Sequence, residues 1–305
     1  MASDITTDLA VPATPVRGAS PGRRLWRATY SQFEFKLGLF FLILLIGGAL
    51  IYPHLTHLSA TKMAIRERFM PPVFLAGGHW AHPLGTDQLG RDLFLRSLIG
   101  LQNALMIAVS AVVIMFVVGT AVGMVAGYYG GWVDTVLMRI TDAQLAVPVI
   151  ILAITILTVH RPSPATVTLV LALSGWPVYA RVTRSVTLSE RQREYVRGAT
   201  ILGASPLRIM LQMISPNVLP PIAFVAVLDV ARMMIFEAIL GFIGIGVQPP
   251  TPTFGNIIAD GRQYLINAWW ISTMPGGFLF ATLLSINLVG ASIERARNKV
   301  LGGTI

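Results

Sequence analysis

Residues 97–133 read SLIGLQNALMIAVSAVVIMFVVGTAVGMVAGYYGGWV, a run of 37 positions without a charged side chain. About 20 apolar residues in a helix cross the hydrocarbon core of a bilayer. Five further charge-free runs are 18 residues or longer, and they cover residues 37–61, 143–160, 162–180, 209–228 and 263–293. The chain has 305 residues, of which 54% are apolar and 12% charged, and its mean hydropathy is +0.68. We therefore predict an integral membrane protein.

The runs predict an all-α fold with six transmembrane helices, because lipid leaves the backbone to satisfy its own hydrogen bonds. The predicted helices cover residues 36–53, 104–127, 143–160, 164–181, 217–237 and 274–293. A seventh run, over 238–259, contains three prolines, and its apolar part from Ala238 to Val247 is about half of what a span needs. We expect a partial or re-entrant segment there.

Three glycines in the second predicted helix point to helix packing. Gly119, Gly123 and Gly127 recur every four residues and so share one face. A face of small residues lets a neighbouring helix approach closely within a membrane. We predict that another helix packs on this face.

The distribution of Lys and Arg predicts the orientation. With a cytoplasmic N-terminus, the cytoplasmic segments hold 15 of the 23 basic residues, the outer segments hold 7, and Arg232 lies inside the fifth helix. Both termini are then cytoplasmic, and they form polar tails over 1–35 and 294–305. The first tail is too long to be the charged N-terminal part of a cleavable signal peptide. Because the basic residues mark loops between apolar runs, we expect no binding of nucleic acid.

The largest predicted cytoplasmic segment, over 182–216, has the signature of two short helices joined by a sharp corner. The first helix, near 190–202, ends at Gly203, which suits a left-handed cap. Ser205 and Pro206 are favoured as N-cap and first-turn residues of the second helix, and Pro216 is expected to end it. This shape suits docking onto another protein, although composition alone also fits a basic loop that only fixes topology.

Several kinds of chemistry are absent from the sequence. The chain has only three lysines, Lys36, Lys62 and Lys299, and none follows a glycine, so it contains no GxxxxGK phosphate-binding loop. It has no cysteine, which excludes disulfides and thiolate zinc sites. Residues 18–22 match GxSxG, but they lie in a Pro-rich tail without the strand and helix that a nucleophile elbow requires. We predict no catalytic residue and no cofactor held by this chain.

Two pairs of histidines, His54 with His57 and His79 with His82, lie in the predicted outer loop. Their spacing would suit a metal only if the loop were helical. We expect solvated histidines and no metal site.

Three ionisable residues lie in or near the fifth predicted helix: Asp229, Arg232 and Glu237. Charges within a membrane face a cavity, pair with one another or line a substrate path. Two interpretations stay open for Asp229 and Arg232, which are an internal ion pair that orients the helix and a part of a translocation path. Glu237 is a further candidate for the path.

Motifs in order along residues 82–292 carry a family resemblance. The first motifs are HPLGTDQLGRD at 82–92, AGYYGG at 126–131, Asp134, LMR at 137–139 and Asp142. They resemble the C-type permeases of the ABC importers for dipeptides, oligopeptides and nickel. The motifs EYV at 194–196, LGAS at 202–205, LRI at 207–209 and PN at 216–217 are similar to the EAA coupling loop of that superfamily, and residues 244–255 resemble its outer motif.

The resemblance implies a six-helix bundle of the type I ABC importer kind in a bacterial or archaeal plasma membrane, surrounded by lipid. It divides the chain into the first helix with the outer loop over 36–81 and a permease core over 82–293. It also implies a sister permease chain, two ATP-binding subunits that hold ATP and Mg, and an external substrate-binding protein. Peptides are the expected cargo, with nickel, opines or oligosaccharides as alternatives. A rival hypothesis is an ion-coupled secondary transporter that uses Asp229 and Arg232.

The resemblance also identifies the residues that would couple the chain to the ATPases. They are Glu194, Tyr195, Arg197, Gly198, Ala199, Gly203, Ala204, Ser205, Leu207, Arg208 and Pro216. The sequence departs from the family pattern at 197–199, where Arg-Gly-Ala replaces the usual Glu-Ala-Ala, and at Ser215, which replaces a leucine. Residues 290–292 are Gly-Ala-Ser instead of Gly-Asp-Gly.

Overall fold

The computed structural model describes residues 21–301, and their regular structure is entirely helical. The helices are α1 (Pro21–Tyr30), α2 (Phe33–Leu55), α3 (Leu93–Tyr129), α4 (Gly131–Leu145), α5 (Val149–Val159), α6 (Pro164–Arg191), α7 (Glu194–Ile201), α8 (Pro206–Arg208), α9 (Ser215–Ile243), α10 (Phe254–Gly261) and α11 (Trp270–Leu301). The all-α prediction is thereby confirmed. The first 20 residues of the predicted polar tail, with Gly18, Ala19 and Ser20 of the GxSxG match, and residues 302–305 of the second tail lie outside the described residues.

Four helices, α2, α3, α6 and α11, are long and apolar enough to cross a membrane, and the bent pair of α4 and α5 is a candidate for a fifth. The predicted spans at 36–53, 104–127, 164–181 and 274–293 lie inside these four helices. The fifth predicted span lies in α9, which has 29 residues. The count of six spans stays a prediction.

The third predicted span is wrong as one continuous helix. α4 ends at Leu145 and α5 begins at Val149, and the two helices meet at an angle of 82°. The break precedes Pro148, which has no N–H to continue the helix and disfavours helical backbone in Val147. The seventh run forms no span, as expected, because α9 ends at Ile243 and α10 has eight residues.

α3 extends beyond its predicted span at its N-terminus, and α6 extends beyond its predicted span at its C-terminus. The two extensions therefore lie at opposite ends of the bundle. α3 begins at Leu93 because Asp92 caps its first turn, with the Leu95 N–H donating to a carboxylate oxygen at 2.7 Å. α6 begins with a capping box at Ser163 and continues to Arg191, ten residues beyond the predicted span, which ends at 181. Both extensions carry polar residues out of the apolar layer.

The glycine face of α3 packs against α6, as predicted. A Cβ built on Gly119 would lie 2.5 Å from the Trp176 carbonyl oxygen, and one on Gly123 would lie 2.3 Å from the Ala180 carbonyl oxygen. At Gly127 a Cβ would lie 2.8 Å from Cβ of Thr187. Since two of these contacts are with backbone atoms, the two helices touch along their main chains.

Two ends of the bundle can be distinguished. The corner end holds residues 190–217 together with the end of α11, where Arg295 Nε donates to Gln32 Oε1 at 3.1 Å just before α2. The loop end holds residues 56–92 and α10. Between the ends, the core is formed by fully buried side chains of α3, α6 and α9, among them Ile107, Met115, Leu171, Tyr179 and Ile222.

We expect Gly123→Ala to lower the thermal midpoint of the detergent-solubilised protein by several degrees, because overpacking of a tight contact costs about 1–3 kcal/mol. The matched control is Gly47→Ala in α2, where an added Cβ meets no atom within 4 Å. Fluorescence-monitored melting checks both variants. Equal midpoints for the two would refute main-chain packing of α3 on α6.

Candidate functional site

The corner at Gly203 joins α7 to α8 through a complete Schellman motif. Gly203 has φ of +79°, a left-handed conformation that glycine adopts without strain. Its N–H donates to the Thr200 carbonyl at 3.1 Å, and the Ala204 N–H donates to the Ala199 carbonyl at 3.0 Å. The Ser205 hydroxyl then accepts a backbone N–H in the first turn of α8. The predicted turn at Gly203 is confirmed, but the first helix begins at Glu194 and not near residue 190, because α6 continues to Arg191.

The corner presents large apolar side chains at its surface. Ile201, Leu202 and Leu207 are 86%, 88% and 63% exposed, whereas Val196 and Ala199 on the inner face of α7 are buried. Grouped apolar side chains at such exposure mark an interaction surface. We call Ile201, Leu202 and Leu207 the corner patch.

The other predicted coupling residues surround this patch. The exposed ones are Glu194, Tyr195, Arg197, Ser205 and Arg208, and the half-buried ones are Gly198 and Ala204. A side chain on Gly198 would extend into open space.

The expectation that Pro216 ends the second helix is wrong. A π turn over Ile209–Ile214 leads directly into α9, and Pro216 lies in the first turn of α9. A helix tolerates proline in its first turn, where the missing N–H removes no intrahelical bond. The wider π turn before it changes the backbone bonding pattern without interrupting the chain of helices.

Glu190, at the end of α6, joins the corner to the bundle. Its side chain is 9% exposed. Oε2 accepts from the Tyr195 hydroxyl at 2.5 Å and from Asn217 Nδ2 at 3.0 Å, while Oε1 accepts from Arg193 Nε at 3.0 Å. These donors belong to α7, to α9 and to the residues between α6 and α7, so one carboxylate connects three segments.

Desolvation and the bond to Glu190 raise the pKa of the Tyr195 hydroxyl above its ordinary value, which keeps the hydroxyl protonated as a donor. Glu190 was not among the residues predicted from the sequence. Its partner Asn217 is 27 positions away along the chain, and no local pattern announces such a pair.

Asp134 and Asp142, two of the residues that carry the family resemblance, attach α4 to α6. Arg184 donates to Asp134 through both Nε and Nη2, and Arg181 Nη2 lies 2.6 Å from Asp142 Oδ1. Planar two-point pairing of guanidinium and carboxylate fixes orientation as well as distance. These pairs hold α4 beside the extended part of α6.

The three translocation-path candidates lie on α9. Arg232 Nη2 is 3.1 Å from the Asp229 carboxylate, whose side chain is 8% exposed, whereas the Arg232 side chain is 44% exposed. Glu237 is 1% exposed, and neither of its carboxyl oxygens has a partner among the described residues. The structure brings Asp229 and Arg232 together and leaves Glu237 apart. Of the three side chains, only that of Arg232 is exposed.

His82 is buried at the loop end, so the expectation of a solvated histidine is wrong for this residue. Nδ1 lies 2.8 Å from Asp92 Oδ2, and Nε2 lies 3.4 Å from Glu67 Oε2. The two carboxylates compensate for the loss of water around the ring. Burial raises the pKa of Asp92 above its ordinary value. The other three histidines of the two pairs are exposed: His54 in the last turn of α2, and His57 and His79 in the loop. Within the described chain no group of three or more His, Asp or Glu side chains suits a metal.

Four charged side chains form a network beside His82. Asp87 Oδ2 lies 2.6 Å from Arg91 Nε and 3.6 Å from Arg96 Nε. Asp260 Oδ2, on α10, lies 3.3 Å and 3.8 Å from the Nη2 atoms of the same two arginines. The side chains of Asp87, Arg91 and Arg96 are at most 6% exposed. The network therefore fixes the loop to α3 and α10.

Comparisons with known proteins agree with this architecture. The family model for binding-protein-dependent transport system inner membrane components matches residues 119–299. The chain is 34% identical over 277 residues to the di/tripeptide transport system permease protein of Pseudomonas aeruginosa, with 91% of each chain covered. It is 33% identical over 277 residues to the dipeptide transport system permease protein of Haemophilus influenzae, with 91% of this chain and 94% of that relative covered.

A solved structure shares the fold. It is a chain of a methionine ABC transporter in an inward-facing conformation, with a TM-score of 0.54 and 20% identity. The match covers 67% of this chain and 96% of that chain.

We expect Glu190→Ala to destabilise the corner by about 2–4 kcal/mol, because three donors lose a largely buried charged acceptor. The thermal midpoint should fall, and trypsin should cut between residues 190 and 217 faster than in the parent chain. Glu194→Ala is the matched control, since Glu194 is exposed and a surface change costs at most about 0.5 kcal/mol. Identical melting and cleavage in the two variants would contradict the role of Glu190.

Proposed function

Because the chain belongs to the binding-protein-dependent transport system inner membrane components, we propose that it is a permease subunit of an ATP-driven ABC importer for peptides. The two relatives above are named for the transport of di- and tripeptides, and each is covered over more than nine tenths of its length. The observation that carries the proposal is the corner. A rigid, hydrogen-bonded turn exposes an apolar patch at one end of a bundle of apolar helices.

The corner is the place where ATP hydrolysis by partner subunits is coupled to movement of the membrane helices. The chain has no phosphate-binding loop, so ATP and Mg belong to two ATP-binding subunits that dock on the corner patch. Closure of these subunits moves α7 and α8, and the Glu190 network passes the movement to α6 and α9. The transporter then changes between inward-open and outward-open states, as a two-state equilibrium that nucleotide biases.

The same proposal sets the orientation and the remaining partners. The corner, both termini and most basic residues face the cytoplasm of a bacterial or archaeal cell, and residues 56–92 face outward. A substrate-binding protein delivers cargo at the outer face. A sister permease, most simply a different chain, supplies the other half of the path.

Arg232 is our candidate for a residue that faces this path. Its side chain is 44% exposed on the isolated chain, and its guanidinium is paired with the buried carboxylate of Asp229. A paired charge at the surface of a membrane helix suits a cavity lined with water. The ion pair also orients α9, so the two interpretations of Asp229 and Arg232 are compatible. Nickel, opines and oligosaccharides stay alternative cargoes.

The first test is to purify the tagged chain from native membranes in mild detergent and to identify what copurifies. ATP hydrolysis is then measured with the binding protein and candidate peptides. A sister permease, ATP-binding chains and peptide-stimulated hydrolysis are expected. A chain that purifies alone and moves solute under an ion gradient would instead establish a secondary transporter.

We expect Gly203→Val to uncouple ATP hydrolysis from transport, because a β-branched residue at φ of +79° strains the cap. The readout is the ratio of ATP hydrolysed to peptide accumulated in proteoliposomes. Gly47→Val in α2 is the matched control, since its backbone is helical and an added Cβ meets no atom within 4 Å. An unchanged ratio in Gly203→Val would overturn the role of the corner.

We expect Arg232→Ala to reduce peptide uptake about tenfold or more while the complex still assembles, whereas Arg232→Lys should keep part of the uptake because it keeps the charge. Uptake in proteoliposomes and the subunit ratio on a gel are the two readouts. Loss of assembly together with uptake would favour an ion pair that only orients α9.

A further inference from the structure

A cleft of about 760 Å³ lies beside the corner patch, between the end of α3 and α7. Tyr128 and Tyr129 form one wall, Arg191 lies at the end of α6, and Arg197 and Ile201 project from α7. None of the described residues that line the cleft is acidic. Its volume is within the range of sites that hold a ligand or several side chains.

The two arginines of the cleft differ from their neighbours in having no carboxylate partner within residues 24–300. Arg181, Arg184 and Arg193, at the same end of the bundle, are each paired with an acidic side chain. Arg191 instead lies over the ring of Tyr128, at 5.9 Å from its centroid. A cation–π contact of this kind uses the face of the guanidinium and leaves its N–H donors available to an anion.

We propose that this cleft receives a carboxylate-bearing segment of the ATP-binding partner. The proposal rests on the proposed function and adds the chemistry of the contact. Ile201 belongs both to the cleft and to the corner patch, so a partner on the patch reaches the cleft without a gap. Arg191 and Arg197 then pair with Asp or Glu side chains of the partner, and the patch supplies the apolar part of the same interface.

The charge contribution is tested on the assembled transporter. The double variant Arg191→Glu with Arg197→Glu should weaken retention of the ATP-binding subunits roughly tenfold or more, because like charges then face each other. The matched control is Arg297→Glu with Lys299→Glu, which makes the same charge change at the end of α11. Retention by the parent should fall with added salt, since screening weakens the pairing.

The position of the contact is tested with a thiol. The chain has no cysteine, so Thr200→Cys places its one thiol at the edge of the cleft for a maleimide photo-crosslinker. We expect a crosslink to a partner segment that contains Asp or Glu, and replacement of that residue by Arg should restore retention in the double variant.

Three outcomes would overturn this inference. They are equal retention in the double variant and its control, a crosslink to anionic lipid in vesicles that contain phosphatidylglycerol, and a crosslink to residues 1–20 of the same chain, which include Asp4 and Asp8. Failure of the proposed function looks different, because the parent chain would then copurify with no ATP-binding subunit at all.

Discussion

α3 and α6 approach each other until their main chains touch. This contact determines the positions of the corner end and the loop end. At Gly123 a Cβ would stand 2.3 Å from a carbonyl oxygen of α6, so the interface allows no side chain to intervene. In lipid, such close packing replaces the hydrophobic force that joins helices in water. α6 therefore moves with α3 as one body. Because α6 continues to Arg191 and its last turn carries Glu190, which is bonded to α7, a displacement of the corner acts on a rigid pair of helices and not on a flexible loop.

Glu190 determines how that displacement spreads. Its carboxylate is shared by Tyr195 of α7 and Asn217 of α9, so the corner cannot tilt without moving the first turn of α9 or breaking charged hydrogen bonds. Asp229 lies twelve residues further along α9, about 18 Å at the rise of an α-helix. The π turn at Ile209–Ile214 is the part of this connection with the least regular bonding. Movement of the corner is thus expected to rotate or tilt α9 as a whole about that turn.

The sequence predicts the parts of this arrangement that depend on local chemistry. Four of the charge-free runs locate the four helices that are long and apolar enough to cross a membrane. Gly203, Ser205 and Pro206 specify the corner because each residue suits one backbone conformation. Helix lengths are missed, since a charge-free run measures the apolar layer, while α3 and α6 continue past it wherever a cap or an ion pair satisfies polar groups. His82, Glu190 and the break at Pro148 are missed for related reasons. Asp92 is 10 positions from His82 and Asn217 is 27 positions from Glu190, and neither separation is a helix or strand period that a sequence pattern marks. Whether a proline bends or ends a helix depends on its neighbours in the fold.

The ion pair on α9 shows why a permease can place a charge in a membrane without a catalytic role. Burial of two separated charges would be costly, and pairing across one helical turn reduces that cost before any partner is present. Asp229 takes the buried position and Arg232 the outer one, so the exposed member is the one whose long side chain reaches water while its charge stays compensated. A second permease chain facing α9 would enclose the guanidinium between the two halves. On the proposed path, cargo would meet a polar group that is already neutralised, and such a group would hold the cargo weakly enough to release it on the other side.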